Sequence, residues 1–550
     1  MTSVHFASFL FLLLSGASLA QPLPVQFVNV AEESGIDMMV VSGSKDQMYI
    51  VEGSLGGSAF FDYDNDGDVD LYVTNGSRFA GFAPGQHPYN RLYRNIGEGK
   101  FTDVTTEAAV GDTSWSLGCV AADYDNDGYT DLYVTNFGAN KLYQNLGGGS
   151  FADVTTAAGV GDPGYGTGGT FGDFDRDGDV DLYVSNYIDF SLDYESTVPC
   201  VWKTVDIMCG PRGMLPQKDV FYSNNGDGTF TDATAAVGMA GKEFYGYGAV
   251  FADFNEDGWP DVFIADDMTP NQMYVNQGDG TFAEEGLIAS VGFNGDGAEQ
   301  GCMGVGIGDY DNDGHLDIFV TNFEGEHNTL YRNEGDGFFL DVSFVSRIAA
   351  SGGPQVGWGA ALFDFDNDGD KDIFAANGHT YPQADLPHTN ASYAQPNFLY
   401  ENLGDGTFED VSGKSGPGLA IEKVSRGATF ADYDDDGDVD IFVVNLNTTP
   451  DLLRNDGGNG NNYLLVETVA TASNRNGIGT RIEIEVAGQR QVNEVRSGSS
   501  YLSHDDMRVH FGLGQAAVVD KVTLRWPSGI VQILEKVAVN RVLRVTEAEK

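Results

Sequence analysis

The sequence predicts an all-β protein, a seven-bladed β-propeller followed by a small antiparallel β domain, and three observations carry that expectation. An acidic loop running into an apolar strand, first met as "FFDYDNDGDVDLYVTN" from Phe60 to Asn75, occurs seven times. A glycine turn of the form "NxGxGxF" follows six of the seven, beginning at Asn95, Asn145, Asn224, Asn276, Asn333 and Asn402, and it breaks down after Asn455. Between these marks lie short aromatic and β-branched runs, with no stretch of sustained helical period. Four strands per repeat, at a spacing of 50 to 80 residues, read as propeller blades.

The acidic loop comes first because its charge must be explained. Carboxylates about 4 to 5 Å apart repel by roughly 3 to 4 kcal/mol per pair at an effective dielectric near 20, so a hard cation is the natural remedy. In the first copy Asp62, Asp64, Asp66 and Asp70 occupy loop positions 1, 3, 5 and 9, and Asp68 at position 7 offers its backbone carbonyl. Gly67 permits the sharp turn between them. Calcium takes about six to eight oxygens in flexible geometry, whereas magnesium keeps its waters and zinc prefers nitrogen or sulfur.

The second and third copies are Asp123, Asp125, Asp127, Tyr129, Asp131 and Asp173, Asp175, Asp177, Asp179, Asp181. The fourth and fifth are Asp253, Asn255, Asp257, Trp259, Asp261 and Asp309, Asp311, Asp313, His315, Asp317. The last two are Asp364, Asp366, Asp368, Asp370, Asp372 and Asp432, Asp434, Asp436, Asp438, Asp440. Only Asn255 departs at position 3, where a neutral amide oxygen replaces a carboxylate. The expectation is about seven calcium sites; the plain alternative is a set of solvated turns.

Ring closure follows from the order of strands. Each unit runs strand, acidic loop, strand, strand, glycine turn, then a strand such as "FTDVT". That last strand is missing after Asn455, while "FVNVAEESGI" stands before the first loop with no turn ahead of it. Phe27 to Val30 is therefore expected to complete the seventh blade and remove an exposed edge.

The connections between second and third strands must leave on the side opposite the acidic loops. Three long insertions, Ser77 to Tyr89, Tyr187 to Asp219 and His379 to Pro396, fall at such connections and should converge on one face. Tyr187, Trp202, His379, Tyr381 and Trp358 are the candidate ligand contacts there, weighed against ordinary blade packing. Cys200 and Cys209 bracket "VWKTVDIM" in the longest insertion and are read as a disulfide or as two free thiols. Cys119 and Cys302 read as buried small hydrophobes.

Composition sets the surroundings. With 29 Lys+Arg against 82 Asp+Glu the formal charge is −53, which argues against nucleic acid and anionic membranes as partners. Aromatic content of 12% is too high for a disordered polyanion. The N-terminal "FASFLFLLLSGASLA" before Gln21 predicts a secretory signal cleaved after Ala20, and no later segment is long and apolar enough to span a bilayer. The expected location is therefore extracellular or at the cell envelope.

The loop, strand and "NxGxGxF" turn together resemble the FG-GAP or VCBS repeat family, over about Phe27 to Asn455. That resemblance implies propellers that hold calcium in loops of this kind. From Asn459 to Lys550 the chain is near neutral, with alternating runs such as "RIEIEV" and "KVTLRW". The stretch "NRNGIGTRIEIEVAGQRQVNEVRSGSSYLSHDDMRVHFGLG" with "LRWPSG" resembles the ASPIC/UnbV domain, found after such repeats in secreted proteins related to cartilage acidic protein. The division is a signal peptide over 1–20, a propeller over 21–457 and a β domain over 458–550.

Function is read as an extracellular module binding glycan or protein. The sequence holds no nucleophile elbow, no HExxH and no phosphate-cradling loop, so catalysis is the lesser expectation. A calcium-dependent, lyase-like enzyme would draw on His379, His327 or Glu324, and a purely structural matrix or envelope role is the third reading.

Overall fold

The computed structural model describes residues 25–549 apart from 45–48, 195, 197–198, 242, 351–352 and 458–459. The expected signal peptide and its cleavage site lie outside the described residues.

Seven four-stranded antiparallel sheets occupy the chain from Phe27 to Asn455. Blade 1 is Ser58–Phe61, Asp70–Val73, Arg91–Asn95 and Phe101–Asp103, in that spatial order, and the next five repeat it. The first strands of successive blades touch one another in a closed ring, from Ser58–Phe61 round to Ser425–Ala431 and back. Blade 7 takes its outer strand from the chain start: Phe27–Asn29 pairs antiparallel with Asp451–Asn455, Phe27 opposite Asn455. The ring therefore closes by pairing the first and last strands of the propeller segment, as the missing last strand required.

Residues after Asn462 form two further sheets. Gln489–Glu494, Arg481–Val486, Val518–Arg525 and Val531–Ala538 make an antiparallel sheet. Asn462–Val469 lies between Val509–Gly514 and Val542–Thr546, and its pairing with Val542–Thr546 is parallel. The domain is thus not purely antiparallel, because its last strand returns after a hairpin to run alongside its first.

This domain covers the acidic-loop face, and it sends one segment into the ring. Ser497 to Asp505 enters the axis and bonds to the inner strands of six blades. The His504 carbonyl accepts from Phe60 and the His504 N–H donates to Ser58 O, at 3.1 and 2.9 Å. Leu502 O accepts from Cys119, Ser497 O from the Thr170 hydroxyl, and Ser500 exchanges two backbone bonds with Val305. Ser500 Oγ accepts from Ala360, and Asp505 Oδ1 from Phe430. In blade 4 Gly248 passes against Ser500, where a Cβ would meet carbonyl oxygens of Met303 and Ser500.

Tyr501 fills the middle of this plug. Its hydroxyl donates to Ser54 O at 2.8 Å, and its ring meets Trp358 at 4.9 Å and Tyr247 at 5.4 Å. Apolar burial on this scale is the main favourable term in folding, so propeller and C-terminal domain share one core.

Candidate metal centres and the two faces of the propeller

Each acidic loop folds on its own carboxylates. The position-1 aspartate accepts the N–H of the position-6 glycine in all seven loops, from Gly67 to Asp62 (2.9 Å) through Gly437 to Asp432 (3.0 Å). That glycine has φ between +88° and +101° throughout, a conformation that would strain any other residue. The position-9 aspartate is buried and accepts two backbone N–H groups, as Asp131 does from Tyr124 (3.1 Å) and Asn145 (2.7 Å). The position-5 aspartate accepts the N–H of position 7, as in Asp127 with Tyr129 and Asp313 with His315, both at 2.9 Å.

These bonds leave oxygens over. Asp64 Oδ1, Asp125 Oδ1, Asp173 Oδ1, Asp309 Oδ1 and Asp434 Oδ1 are buried without a hydrogen-bond partner. Carboxylate oxygens of Asp62/Asp64/Asp66, Asp123/Asp125/Asp127, Asp173/Asp175/Asp181, Asp309/Asp311/Asp317 and Asp364/Asp366/Asp372 gather within 4.8 Å, close enough to share a metal ion. Burial, with the neighbouring aspartates, pushes Asp62 up to about 6 and Asp123, Asp173 and Asp309 to about 7. A group of carboxylates held this far from comfort fits a hard cation. Asn255 in the fourth loop spends its Oδ1 on the Asp257 N–H at 3.0 Å, so that loop is built with one carboxylate fewer.

The loops also lock blade to blade, a role the sequence pattern did not disclose. The asparagine opening each glycine turn donates its amide to the residue after the position-1 aspartate in another blade: Asn95 to Tyr433 O, Asn145 to Tyr63 O, Asn224 to Tyr124 O, Asn276 to Phe174 O, Asn333 to Phe254 O, Asn402 to Tyr310 O and Asn455 to Phe365 O, all at 2.7–2.9 Å. The aromatic ring of that same residue packs against the phenylalanine that ends the turn, for example Tyr124 on Phe230 at 5.6 Å. In blade 7 the ring partner is Phe27, 6.3 Å from Phe365, so the N-terminal strand completes this contact too.

Position 4 carries part of the contact with the C-terminal domain, which also reaches Asn126 and Asn367. It has φ near +60° in every loop and is asparagine in four: Asn65, Asn126, Asn312 and Asn367. Asn65, Asn126, Asn312 and Asn367 each donate to the glycine carbonyl of the next loop. The exceptions are Arg176, Glu256 and Asp435, and each meets the C-terminal domain: Arg176 Nε donates to Pro527 O (2.7 Å), Glu256 pairs with Arg481 (3.2 Å) and Asp435 with Arg508 (3.5 Å). A near-neutral domain thus presents arginines to the most acidic surface of the chain.

On the opposite face the three insertions do converge. Phe79 and Phe190, from two of them, stack 5.9 Å apart, and Lys203 Nζ donates to Thr389 O at 2.7 Å. Cys200 and Cys209 are joined by a disulfide, Cα atoms 5.1 Å apart, and Cys119 and Cys302 are buried free thiols.

The five candidate ligand contacts divide in two. Trp202, His379 and Tyr381 form one cluster, with Trp202 4.7 Å from His379 and 5.8 Å from Tyr381, and Trp202 Nε1 donates to Glu324 at 2.8 Å. Tyr187 and Trp358 are core residues, at 0% and 3% exposure, and this corrects the expectation that they face a ligand. Tyr187 stacks on Tyr247 and donates to Asp267; Trp358 donates to Gly378 O beneath the Arg426 guanidinium and beside Tyr501. Trp358 is covered by Tyr501 of the axial plug, and Tyr187 by the rings of Tyr165, Tyr245 and Tyr247.

The groups considered for catalysis are also engaged. His379 is fully buried, its Nδ1 accepts the Tyr381 N–H, and burial holds its pKa below the usual range. Glu324 Oε2 lies 3.7 Å from His379 Nε2 while Lys203 and Trp202 also bind that carboxylate. His327 packs on Phe344 and lies 3.8 Å from Asp341.

A closed propeller with acidic loops in all seven blades, their carboxylates gathered in most of them, defines a repeat protein built round potential metal centres. The chain belongs to the FG-GAP-like repeat family, whose model matches residues 62–134, 123–184, 204–264, 253–320, 309–375 and 389–443, and residues 470–550 match the ASPIC and UnbV family. Among curated proteins it is similar to cartilage acidic protein 1 of Mus musculus, 26% identical over 308 residues, covering 54% of this chain and 44% of that protein. The same protein of Homo sapiens is 26% identical over 310 residues, covering 54% and 43%. The chain therefore aligns with less than half the length of these relatives. Among solved structures it is similar to an Agrocybe aegerita lectin that specifically recognises non-reducing terminal N-acetylglucosamine (TM-score 0.37, 18% identity, covering 64% of this chain and 81% of that one). It is also similar to YCF48 bound to D1 peptide (TM-score 0.41, 9% identity, covering 80% and 100%).

Among the described residues no helix is long and apolar enough to cross a membrane.

Proposed function

We propose that the protein is an exported, calcium-stabilised propeller that acts as an extracellular binding module for glycan or protein. The observation that carries this reading is the recurrence of buried aspartate oxygens without partners inside loops whose remaining oxygens are spent on fixing the loop. Calcium would be held by the carboxylates at positions 1, 3, 5 and 9 with the position-7 carbonyl, in about seven loops, and its chemistry there is charge neutralisation rather than catalysis. The Cys200–Cys209 disulfide supports an oxidising location and thus the leader over 1–20, ahead of a propeller over 21–457 and a cover domain over 458–550.

The ligand face in this reading is the insertion face, with the partly buried Trp202 and Tyr381 as the remaining contacts and the fully buried His379 as their packing partner. A rigid scaffold carrying clustered aromatic loops is where recognition sites concentrate. Thermal melting of the purified protein tests the calcium reading. Chelator should lower the unfolding temperature by about 10 °C or more, with calcium restoring it better than magnesium. A melting curve indifferent to chelator would remove the reading. A glycan array and a polysaccharide-degradation screen separate a module from a lyase-like enzyme, which the His379–Glu324 proximity would have to serve.

A further inference from the structure

We propose that the rim of blades 4 and 5 is a docking surface for a polypeptide segment that brings apolar side chains together with a lysine or arginine. Six large apolar residues stand open there: Leu287 and Ile288, just after the outer strand of blade 4 (Phe282–Glu284), and Phe338, Leu340, Phe344 and Val345, in and beside that of blade 5 (Phe339–Asp341). Each is between 49% and 74% exposed. The two groups abut, because the Phe339 N–H donates to Ala289 O at 2.9 Å and so sets the segment of Leu287 and Ile288 against the strand of Phe338 and Leu340. Together they offer on the order of 700 Å² of apolar surface, more than the few hundred that a monomer usually leaves uncovered.

The repeat itself does not ask for these residues. The places of Leu287/Ile288 and Phe344/Val345 are held by Thr106/Glu107, Thr156/Ala157, Ala235/Ala236 and Gly413/Lys414 in blades 1, 2, 3 and 6, and by Glu32/Glu33 after the strand that closes blade 7. The same backbone thus forms with small or polar side chains there, and packing of the blades does not account for the strip.

Charge names the partner. Val345 also borders a cavity of about 420 Å³ that holds Asp311, Asp370 and Asp405 with Arg332 beside them. Arg332 is tied to Glu334, its Nε donating at 2.8 Å. Over residues 282–288 and 332–347 five carboxylates stand against two arginines, so with the three cavity aspartates the rim counts eight against two. Counting Asp311 as spent on calcium in the fifth loop leaves seven against two, so the inference stands with that loop filled or empty. An apolar strip with an acidic border suits a segment whose hydrophobic side chains are accompanied by cations, and the cavity is placed to take one of them. A second copy of this chain, at −53 and with the same acidic rim, is repelled, as is an anionic membrane.

The test is fluorescence anisotropy with three labelled synthetic peptides added to the full chain at physiological salt: alternating leucines and valines between paired lysines, the same core between paired glutamates, and a serine core between paired lysines. The first should bind at a single site, and the other two at least about tenfold more weakly. Leu287→Ser combined with Phe344→Ser should weaken the first peptide about tenfold or more with the melting temperature unchanged, because both side chains are exposed. Asp405→Asn should weaken it about threefold and flatten its salt dependence. Failure of the lysine-flanked apolar peptide to bind, equal binding of either control, or full binding after the double serine substitution overturns the proposal. So does sedimentation equilibrium in which the protein alone dimerises at micromolar concentration and the double variant does not, since the strip is then an interface between copies.

Discussion

On the acidic-loop face of the ring one set of contacts is made seven times over, whereas on the opposite face the long insertions make contacts that no other blade repeats. Asn145 repeats what Asn95 does, a bond to its own blade and a bond to another, and Tyr63 on Phe151 repeats Tyr124 on Phe230. Nothing repeats the Trp202–Glu324 bond or the disulfide of Cys200 with Cys209. The regular face gathers charge, in clusters that could hold metal ions, and lies under the C-terminal domain; the irregular face is tied down by its own rings. Stability should therefore respond to metal and to the C-terminal domain, and very little to the exposed parts of the insertions.

The largest effect expected from a single substitution is at the plug. Tyr501→Ala removes a fully buried ring and its bond to Ser54 O, at a cost of about 3–5 kcal/mol by analogy with other large-to-small core changes. Urea unfolding should show propeller and C-terminal domain losing structure together in the wild type, and two separated transitions in this variant. A single unshifted transition in Tyr501→Ala would mean the two regions do not share a core.

Next in size is the inter-blade staple. Asn145→Ala deletes bonds to Tyr63 O and Thr130 O and leaves buried carbonyls unpaired, so it should cost about 1–3 kcal/mol. Trp202→Ala on the other face, by contrast, should cost less than about 1 kcal/mol, because this ring is only partly buried and its loop is held by the disulfide. Equal losses from the two substitutions, measured by the same unfolding midpoints, would erase the distinction between the faces.

Acidification gives a smaller, graded effect. In the metal-free fold burial holds Asp123, Asp173, Asp253 and Asp309 at about 7, above their unfolded value of 3.8. Stability from these raised groups is fully present below about pH 4 and is lost as pH rises through about 7, so the metal-free protein should gain stability on acidification. Calcium must displace those protons, and its affinity should fall roughly tenfold per site between pH 8 and pH 6. Calcium titrations at the two pH values check the sign; tighter binding at pH 6 would contradict it.

Much of the regular face was legible in the sequence because identical residues recur at a fixed place in each repeat. The repeated acidic loops, the strand order and closure by Phe27 could be read from that register alone. The staple was visible as the asparagine of each glycine turn, but its partner lies in another blade and no local pattern points there. Arg176, Glu256 and Asp435 broke the asparagine at position 4, a signal that could have marked part of the docking surface, which also takes in Asn126 and Asn367. "SGSSYLSHD" carries no strand alternation, and nothing in it announces an axial plug, so Trp358 was expected at a surface that Tyr501 covers, and Tyr187 at one closed by neighbouring tyrosines. The parallel pairing of Asn462–Val469 with Val542–Thr546 was hidden for a similar reason, since it joins the two ends of the domain.

The measurement closest to the central claim is the number of calcium ions each chain retains after dialysis against low-micromolar calcium, read by elemental mass spectrometry beside protein concentration. The account predicts about seven per chain, with one fewer after Asp123→Asn. Retention of fewer than one ion per chain, with the Asp123→Asn variant indistinguishable from wild type, would contradict it.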